Sequence, residues 1–323
     1  MPLQMDAATL ELTQLIALQP EKDTQSVTHS NQIQINLNMS ATHFWINGKI
    51  KATSEAMIHV SDLGLLRGMG IFDYFLVEKG KAIFMKEHID RFFRSAKHLD
   101  MTIPVSKSEL AAAIKEVLQV NKEKNAAIRI VLTGGYAADG YTYNGQNNLL
   151  ILQHNFVAHD PGLHQRGMHL MTYSHQRILP EVKSTNYLLP IILKKDMDAI
   201  SADDVLYHFD NRVSETSRAN FFIIDSKGVL ITSVGNVLKG ITRNKTIEVA
   251  RQVMEVEVRP FTIEEMWAAE EAFITSTTKG ILAVTKIDNK VFGNGQPGEK
   301  TLFLVGRLNN LMKTHVASSA TIL

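Results

Sequence analysis

Lys183 stands in "LPEVKSTNYLLP", residues 179–190, the one lysine in mostly apolar and hydroxylic company. An amine kept from water is a nucleophile and a base; a lysine in water is a solvated charge, and this window alone does not decide between them. Glu215 follows 32 residues later in "NRVSETSRANFFI", just before a run that reads as a strand. "LKGITRNKT" puts Gly240 ahead of a helical pattern whose first turn carries Ile241 and Thr242. Free N–H groups and the helix dipole at such a start attract anions, and a threonine hydroxyl adds a donor. "FITSTTKG" ends a strand with Thr275, Ser276, Thr277 and Thr278, and Arg91 projects from an amphipathic helix upstream. Each feature has a plain structural reading: a solvated acid, a helix opened by glycine, hydroxyls capping a turn, a surface cation. Their order along one chain suggests an amine, a carboxylate and an anion cup in one site.

Elements must bring these residues together. "FWINGKIKA" alternates about Asn47-Gly48, a hairpin signal. "AIFMKEHIDRFFRSAKHL" begins as a strand and continues as a helix with Ile89, Phe92, Phe93, Ala96 and Leu99 on one face. "SKSELAAAIKEVLQV" reads as a helix capped by Ser106 or Ser108. "AAIRIVLTGG" and "NLLILQHNF" read as strands on either side of a Gly/Tyr loop. The stretch 157–167, "VAHDPGLHQRG", is polar with Pro and Gly, and is the candidate interdomain linker. Beyond it lie strands at "MHLMTYSH", "VLYHF", "NFFIID", "VLITS", "VEVRPF", "EAFITST", "ILAVTKI" and "KVFG". Helices are expected at "TNYLLPIILKKDMDAI", where Pro190 must kink the helix or sit near its start, at "GITRNKTIEVARQVM" and at "EKTLFLVGRLNNLMKTHV". The pattern is mixed α/β, with α+β character, around two cores.

The expected organisation is an extension over 1–42, loosely packed or poorly ordered, in which Met39 is an alternative start. A smaller N-terminal α/β domain follows over 43–156, then the linker and a larger C-terminal domain over 168–323. With 323 residues, 45% hydrophobic and 21% charged, the chain has an ordinary globular composition. A net charge of +1 points neither to nucleic acid nor to an anionic membrane surface. No apolar run approaches the ~20 residues of a membrane span. The absence of cysteine removes disulfides and thiol chemistry and fits a cytoplasmic protein.

The series "INGK", "HVSDLGLLRGMGIFDYF", "HIDRFFRSAKHL", "KSTNYL", "ETSRANFF", "GITR" and "FITSTTKG" resembles class IV pyridoxal-phosphate enzymes over nearly everything after residue 43. That family holds branched-chain and D-amino-acid aminotransferases, (R)-amine transaminases and aminodeoxychorismate lyases. The resemblance implies a two-domain fold with pyridoxal 5'-phosphate at the domain interface, and a homodimer whose partner loop helps close the site. It implies Lys183 as the Schiff-base lysine and general base, Arg91 on the cofactor phosphate, and Glu215 on the pyridine nitrogen. The backbone N–H groups of Ile241 and Thr242 and the hydroxyl of Thr277 complete the phosphate cup, and Tyr187 stands near the phenolic oxygen. The reaction implied is ping-pong transamination between an amino acid and a 2-oxo acid.

The substrate side departs from both standard patterns. Where typical D-amino-acid enzymes carry an arginine after the strand "RIVLTGG", this chain has Gly134-Gly135. Where branched-chain enzymes pair tyrosine with arginine, it keeps Arg129 but has Ala127. Arg129 and the loop residue Arg67 are therefore the candidates for the substrate carboxylate, with Thr278 beside them. The combination most resembles a divergent bacterial group of D-amino-acid transaminases. A branched-chain L-amino-acid aminotransferase is the alternative, and the loop "GGYAADGYT" also resembles that of aminodeoxychorismate lyases. Lys279 is a further cation near the cofactor edge, with solvent as its plainer destination.

Overall fold

The structure is a computed structural model that describes residues 41–156, 161–319 and 322. The first sheet holds β1 (His43–Ile46), β2 (Lys49–Ala52), β3 (Gly70–Glu78), β4 (Lys81–Ala82), β5 (Ala126–Thr133) and β6 (Asn148–Asn155). Its order is β2-β1-β6-β5-β3-β4, antiparallel throughout. Asn47 and Gly48 both take positive φ, and Ile46 pairs with Lys49, so the expected two-residue hairpin forms. Three helices accompany this sheet: α1 (Leu63–Arg67), α2 (Met85–His98) and α3 (Lys107–Asn121). Ser106 caps α3 in a reciprocal box with Glu109.

One face of the sheet is the core. Phe75, Ile128, Ile130 and Ile151 pack with Ile89 and Phe92 of α2 and Leu110 and Ile114 of α3. The alternation of a strand sends the intervening residues to the other face. There Phe72 pairs with Val131 and Tyr74 with Arg129 across β3 and β5, and all four line the large cavity described below.

The second sheet holds β7 (Met168–Ser174), β8 (Asp204–Phe209), β9 (Arg212–Thr216), β10 (Asn220–Ile224), β11 (Leu230–Thr232), β12 (Val256–Val258), β13 (Glu271–Ser276), β14 (Gly280–Ile287) and β15 (Lys290–Val291). The path is β12-β11-β10-β13-β14-β7-β8-β9, and a further pairing of β10 with β9 closes part of it on itself. That closing contact is Glu215 opposite Asn220. Leu170, Leu206, Phe221, Ile274 and Val284 form a core on one side. Phe222, Phe273 and Leu230 form another with Ile247 of α7 (Ile241–Ala250) and Leu304 and Leu308 of α9 (Glu299–Ser318); α8 (Ile263–Ala268) precedes β13.

Several expectations need correction. Of the stretch 157–167, Pro161–Arg166 is a helix, α4, and 157–160 lie outside the described residues. Proline suits a first helical position and Gly167, at φ +70°, suits the stop. The helix "TNYLLPIILKKDMDAI" is two short ones, α5 (Leu188–Ile192) and α6 (Lys194–Ala199); Pro190 sits in the first turn of α5, where its missing N–H costs nothing. Glu215 precedes β10 as expected, and itself lies within β9, a strand that the local pattern did not show. Arg67 is the last residue of α1, a helix capped by Asp62 and ended by Gly68, rather than a loop residue. Of the extension 1–42, residues 1–40, Met39 among them, lie outside the described residues. Among the described residues no helix is long and apolar enough to cross a membrane, and no group of side chains is suited to a metal ion.

Candidate active site

A cavity of about 580 Å³ lies between the outer face of the first sheet and one end of the second. Lys183, Arg91, Tyr187, Glu215, Ile241, Thr242, Thr277, Thr278 and Arg129 all line it. Arg67 does not; its Nη1 donates to Leu66 O at 3.0 Å on an exposed helix. The structure therefore brings these sequence-distant residues together around one cavity and leaves out only Arg67.

Lys183 is held by its backbone. Phe72 N donates to Lys183 O at 2.9 Å, Thr185 N to Gly70 O at 2.9 Å, and Lys183 N to Ser95 Oγ at 3.3 Å. The segment lies along the start of β3 like a short added strand, through an Ile71–Ser184 bridge. Its Nζ sits 4.6 Å from the centroid of the Phe72 ring. Burial and the nearby Arg91 guanidinium bring the amine down from 10.5 to about 8. A free lysine at pH 7.5 is neutral in about one molecule in a thousand; at a pKa of about 8 the fraction is about a quarter. The amine is thus prepared for nucleophilic and proton-transfer work.

Glu215 is buried and accepts three hydrogen bonds. Arg177 Nη1 donates to Oε1 at 2.6 Å, while Asn220 Nδ2 and Leu238 N donate to Oε2 at 2.9 and 3.0 Å. Burial pushes its carboxyl upward, and the charge and hydrogen bond of Arg177 pull it back. Oε1 has a single donor, so a lone pair remains for an N–H in the cavity. Arg177 also donates to Pro180 O at 3.1 Å and Val182 O at 2.8 Å, tying the lysine segment to the carboxylate.

The groups expected to form an anion cup lie together along the cavity. No side chain caps α7, so the N–H groups of its first turn are free. Its cap must be glycine: a Cβ on Gly240 would stand 2.0 Å from Asn220 Oδ1. Arg243 is buried with Nε unpartnered, as is Thr275 Oγ1. A buried guanidinium without a carboxylate is costly unless an anion arrives. Arg91 faces the cup, its Nε and Nη2 donating to Asp73 Oδ2 and Oδ1 at 2.8 and 2.7 Å. On the opposite wall the Arg129 guanidinium rests 5.4 Å from the Phe72 centroid and 5.7 Å from that of Tyr74. No carboxylate pairs with it among the described residues.

Asp73, His88, Arg177 and Asn220 escaped the sequence reading. Asp73 was visible in "GIFDYF" as an acid in an apolar strand, a costly placement unless paired. Nothing in the spacing identified Arg91 as its partner, or Arg177 as that of Glu215.

A family model for class IV amino-transferases matches residues 70–287, a span that contains every cavity residue named above. A protein of Methanocaldococcus jannaschii named "Putative branched-chain-amino-acid aminotransferase" is 34% identical, covering 80% of this chain and 92% of its own. The D-alanine aminotransferase of Bacillus licheniformis is 26% identical, over 84% and 98%. The T.th. branched-chain amino acid aminotransferase, solved with pyridoxamine 5'-phosphate, superposes with a TM-score of 0.80 at 26% identity, over 88% of this chain and 100% of that one. The chain belongs to the class IV aminotransferases.

Proposed function

We propose that this chain is a pyridoxal-phosphate-dependent aminotransferase in which Lys183 is the catalytic amine and D-amino acids are the first substrates. The observation that carries the reading is the amine of Lys183, lowered to about 8, in one cavity with a bonded buried carboxylate and an uncapped helix start. These residues fit the cofactor. Ile241 and Thr242 N–H, Thr277 and Arg91 would hold the phosphate; Glu215 would accept from the ring nitrogen; Tyr187, whose phenol is pushed upward by burial, would stand at the ring edge. When bound, pyridoxal phosphate supplies an aldehyde carbon and a ring that accepts electrons.

The remaining work belongs to the chain. Arg129 receives the substrate α-carboxylate, its planar fork matching two oxygens. Lys183 Nζ takes the proton from the substrate α-carbon and returns it on the other side of the exchange, as a general base and then acid. Glu215, fixed in place by Arg177, would accept from the ring nitrogen through Oε1. Thr278 and Lys279 line the same wall as the cup.

The lining supports small or polar substrate side chains over branched aliphatic ones. Besides the cup residues the lining holds three cations, Arg129, Arg218 and Lys279, alongside aliphatic groups such as Val131 and Leu238. A branched-chain L-amino-acid aminotransferase is the second reading, favoured by the 34% identical relative. We further propose a homodimer. Met57, Val60, Leu65, Ile178 and Ile191 are 65–88% exposed, apolar side chains that a second subunit would cover, and Arg67 is the chain neighbour of Leu66. The two sheets are read as the two domains.

The test is the absorbance of the cofactor on the purified protein. The bound aldehyde form is expected near ~410–420 nm, shifting to the amine form with D-alanine or D-glutamate. A shift with L-leucine alone would replace the first reading by the second. A protein that takes up no pyridoxal phosphate would refute both.

A further inference from the structure

Asp73 puts a carboxylate beside an anion cup, where its charge opposes the ligand. It is completely buried and accepts four hydrogen bonds. Tyr74 N, His88 Nδ1 and Arg91 Nη2 donate to Oδ1, each at 2.7 Å, and Arg91 Nε donates to Oδ2 at 2.8 Å. His88 and Arg91 lie one turn apart on α2, so a single carboxylate from β3 holds both. The fork occupies the Nε edge of the guanidinium and leaves Nη1 for the cavity, which Arg91 lines. Behind the cup, His88 borders a cavity of about 20 Å³ together with Thr242 and Thr277, room for one water.

We propose that Asp73 is a positioning residue for phosphate recognition: it sets the Arg91 fork, and through His88 the rear of the cup, before any ligand arrives. This rests on the reading of the cavity as a pyridoxal-phosphate pocket. The physical case is one of order over charge. Alone, Arg91 would attract phosphate more strongly at long range, but a buried guanidinium without a counter-ion would be costly and free to turn. Asp73 neutralises it, fixes its plane and leaves one edge pointing at the ligand. Its contribution is therefore specific to ligands that carry phosphate.

The experiment compares pyridoxal phosphate with pyridoxal, which has the same ring and aldehyde and no phosphate. Dissociation constants are measured by absorbance on the full chain stripped of cofactor, for the wild type, Asp73→Asn and His88→Asn. Inorganic phosphate is titrated in parallel by calorimetry. For Asp73→Asn, binding of pyridoxal phosphate is expected to weaken at least about tenfold, as loss of a charged hydrogen bond implies, with pyridoxal changing less than about twofold. Phosphate binding should fall with the former. Equal weakening for both aldehydes, or none for either, would overturn the assignment. If Asp73→Asn fails to fold by circular dichroism, His88→Asn decides: a smaller loss confined to phosphate-bearing ligands supports the proposal, and an unselective loss or none refutes it. A wild-type protein that binds neither aldehyde would instead refute the functional reading beneath it.

Discussion

Replacing Arg177 by methionine removes the counter-ion of Glu215 while keeping most of the side-chain volume. In the native structure the pair meets at 2.6 Å, with the carboxylate 5% and the guanidinium 25% exposed. Breaking a buried ion pair from one side costs about 3–5 kcal/mol. The partial exposure of Arg177, and the two donors that stay on Oε2, argue for the lower end or below, about 2–3 kcal/mol at neutral pH. The sign of the pH dependence follows from burial. Without Arg177, desolvation acts on Glu215 with less opposition, so its pKa rises further above the unfolded value. The folded variant then binds more protons than the unfolded chain, and its stability falls as pH rises from about 4.5. The deficit should be largest at pH 7.5 and shrink towards pH 5. Arg177 also helps to lower Lys183, so the alkaline rise of activity should move to higher pH in the same variant. Urea denaturation at both pH values measures the first effect, and a pH–rate profile the second. A stability loss that is the same at pH 5 and pH 7.5 would show that Glu215 is not the group that Arg177 serves.

Lys183→Met should abolish transamination yet stabilise the cofactor-free protein at pH 7, by on the order of 2–3 kcal/mol. A lysine lowered from 10.5 to about 8 disfavours the folded state below pH 8, and the advantage of the variant should vanish above pH 10.5; denaturation at pH 7 and 10.5 checks this. Arg129→Leu should lower kcat/KM about 10–100-fold through the lost carboxylate contact, with the cofactor spectrum unchanged in a titration. Gly240→Ala should displace Asn220, on which its Cβ would fall, and weaken both its bond to Glu215 and the cup; equilibrium binding of pyridoxal phosphate should drop with it.

Periodicity and turn chemistry were enough for most elements. The Asn47-Gly48 hairpin, the capped helix over Lys107–Asn121 and the strands of both sheets other than β3 and β9 follow from local pattern, because the two-residue and 3.6-residue periods are written in consecutive residues. Within the segment 157–167, Pro and Gly carry a signal that local pattern leaves ambiguous: they mark a loop, yet they also open and close a short helix, and here Pro161–Arg166 is one. Arg67 was misplaced for the same kind of reason, since a five-residue helix between Asp62 and Gly68 is too short to show a period.

What the sequence determined alone is the set of candidate groups and their order: Lys183, Glu215, the glycine-led start at Ile241 and Thr242, Thr277 and Arg91. Those are properties of residue type and of helix ends. Tertiary structure alone decided how those groups are charged. The amine of Lys183 is lowered because folding buries it over Phe72 and near Arg91; Glu215 is pushed up by burial and partly restrained because the β9–β10 closure brings Arg177 against it; Arg91 is held because Asp73, 18 residues before it, is buried against it. Burial and counter-ions act through space over a few ångströms, and no spacing along the chain encodes which cation reaches which carboxylate.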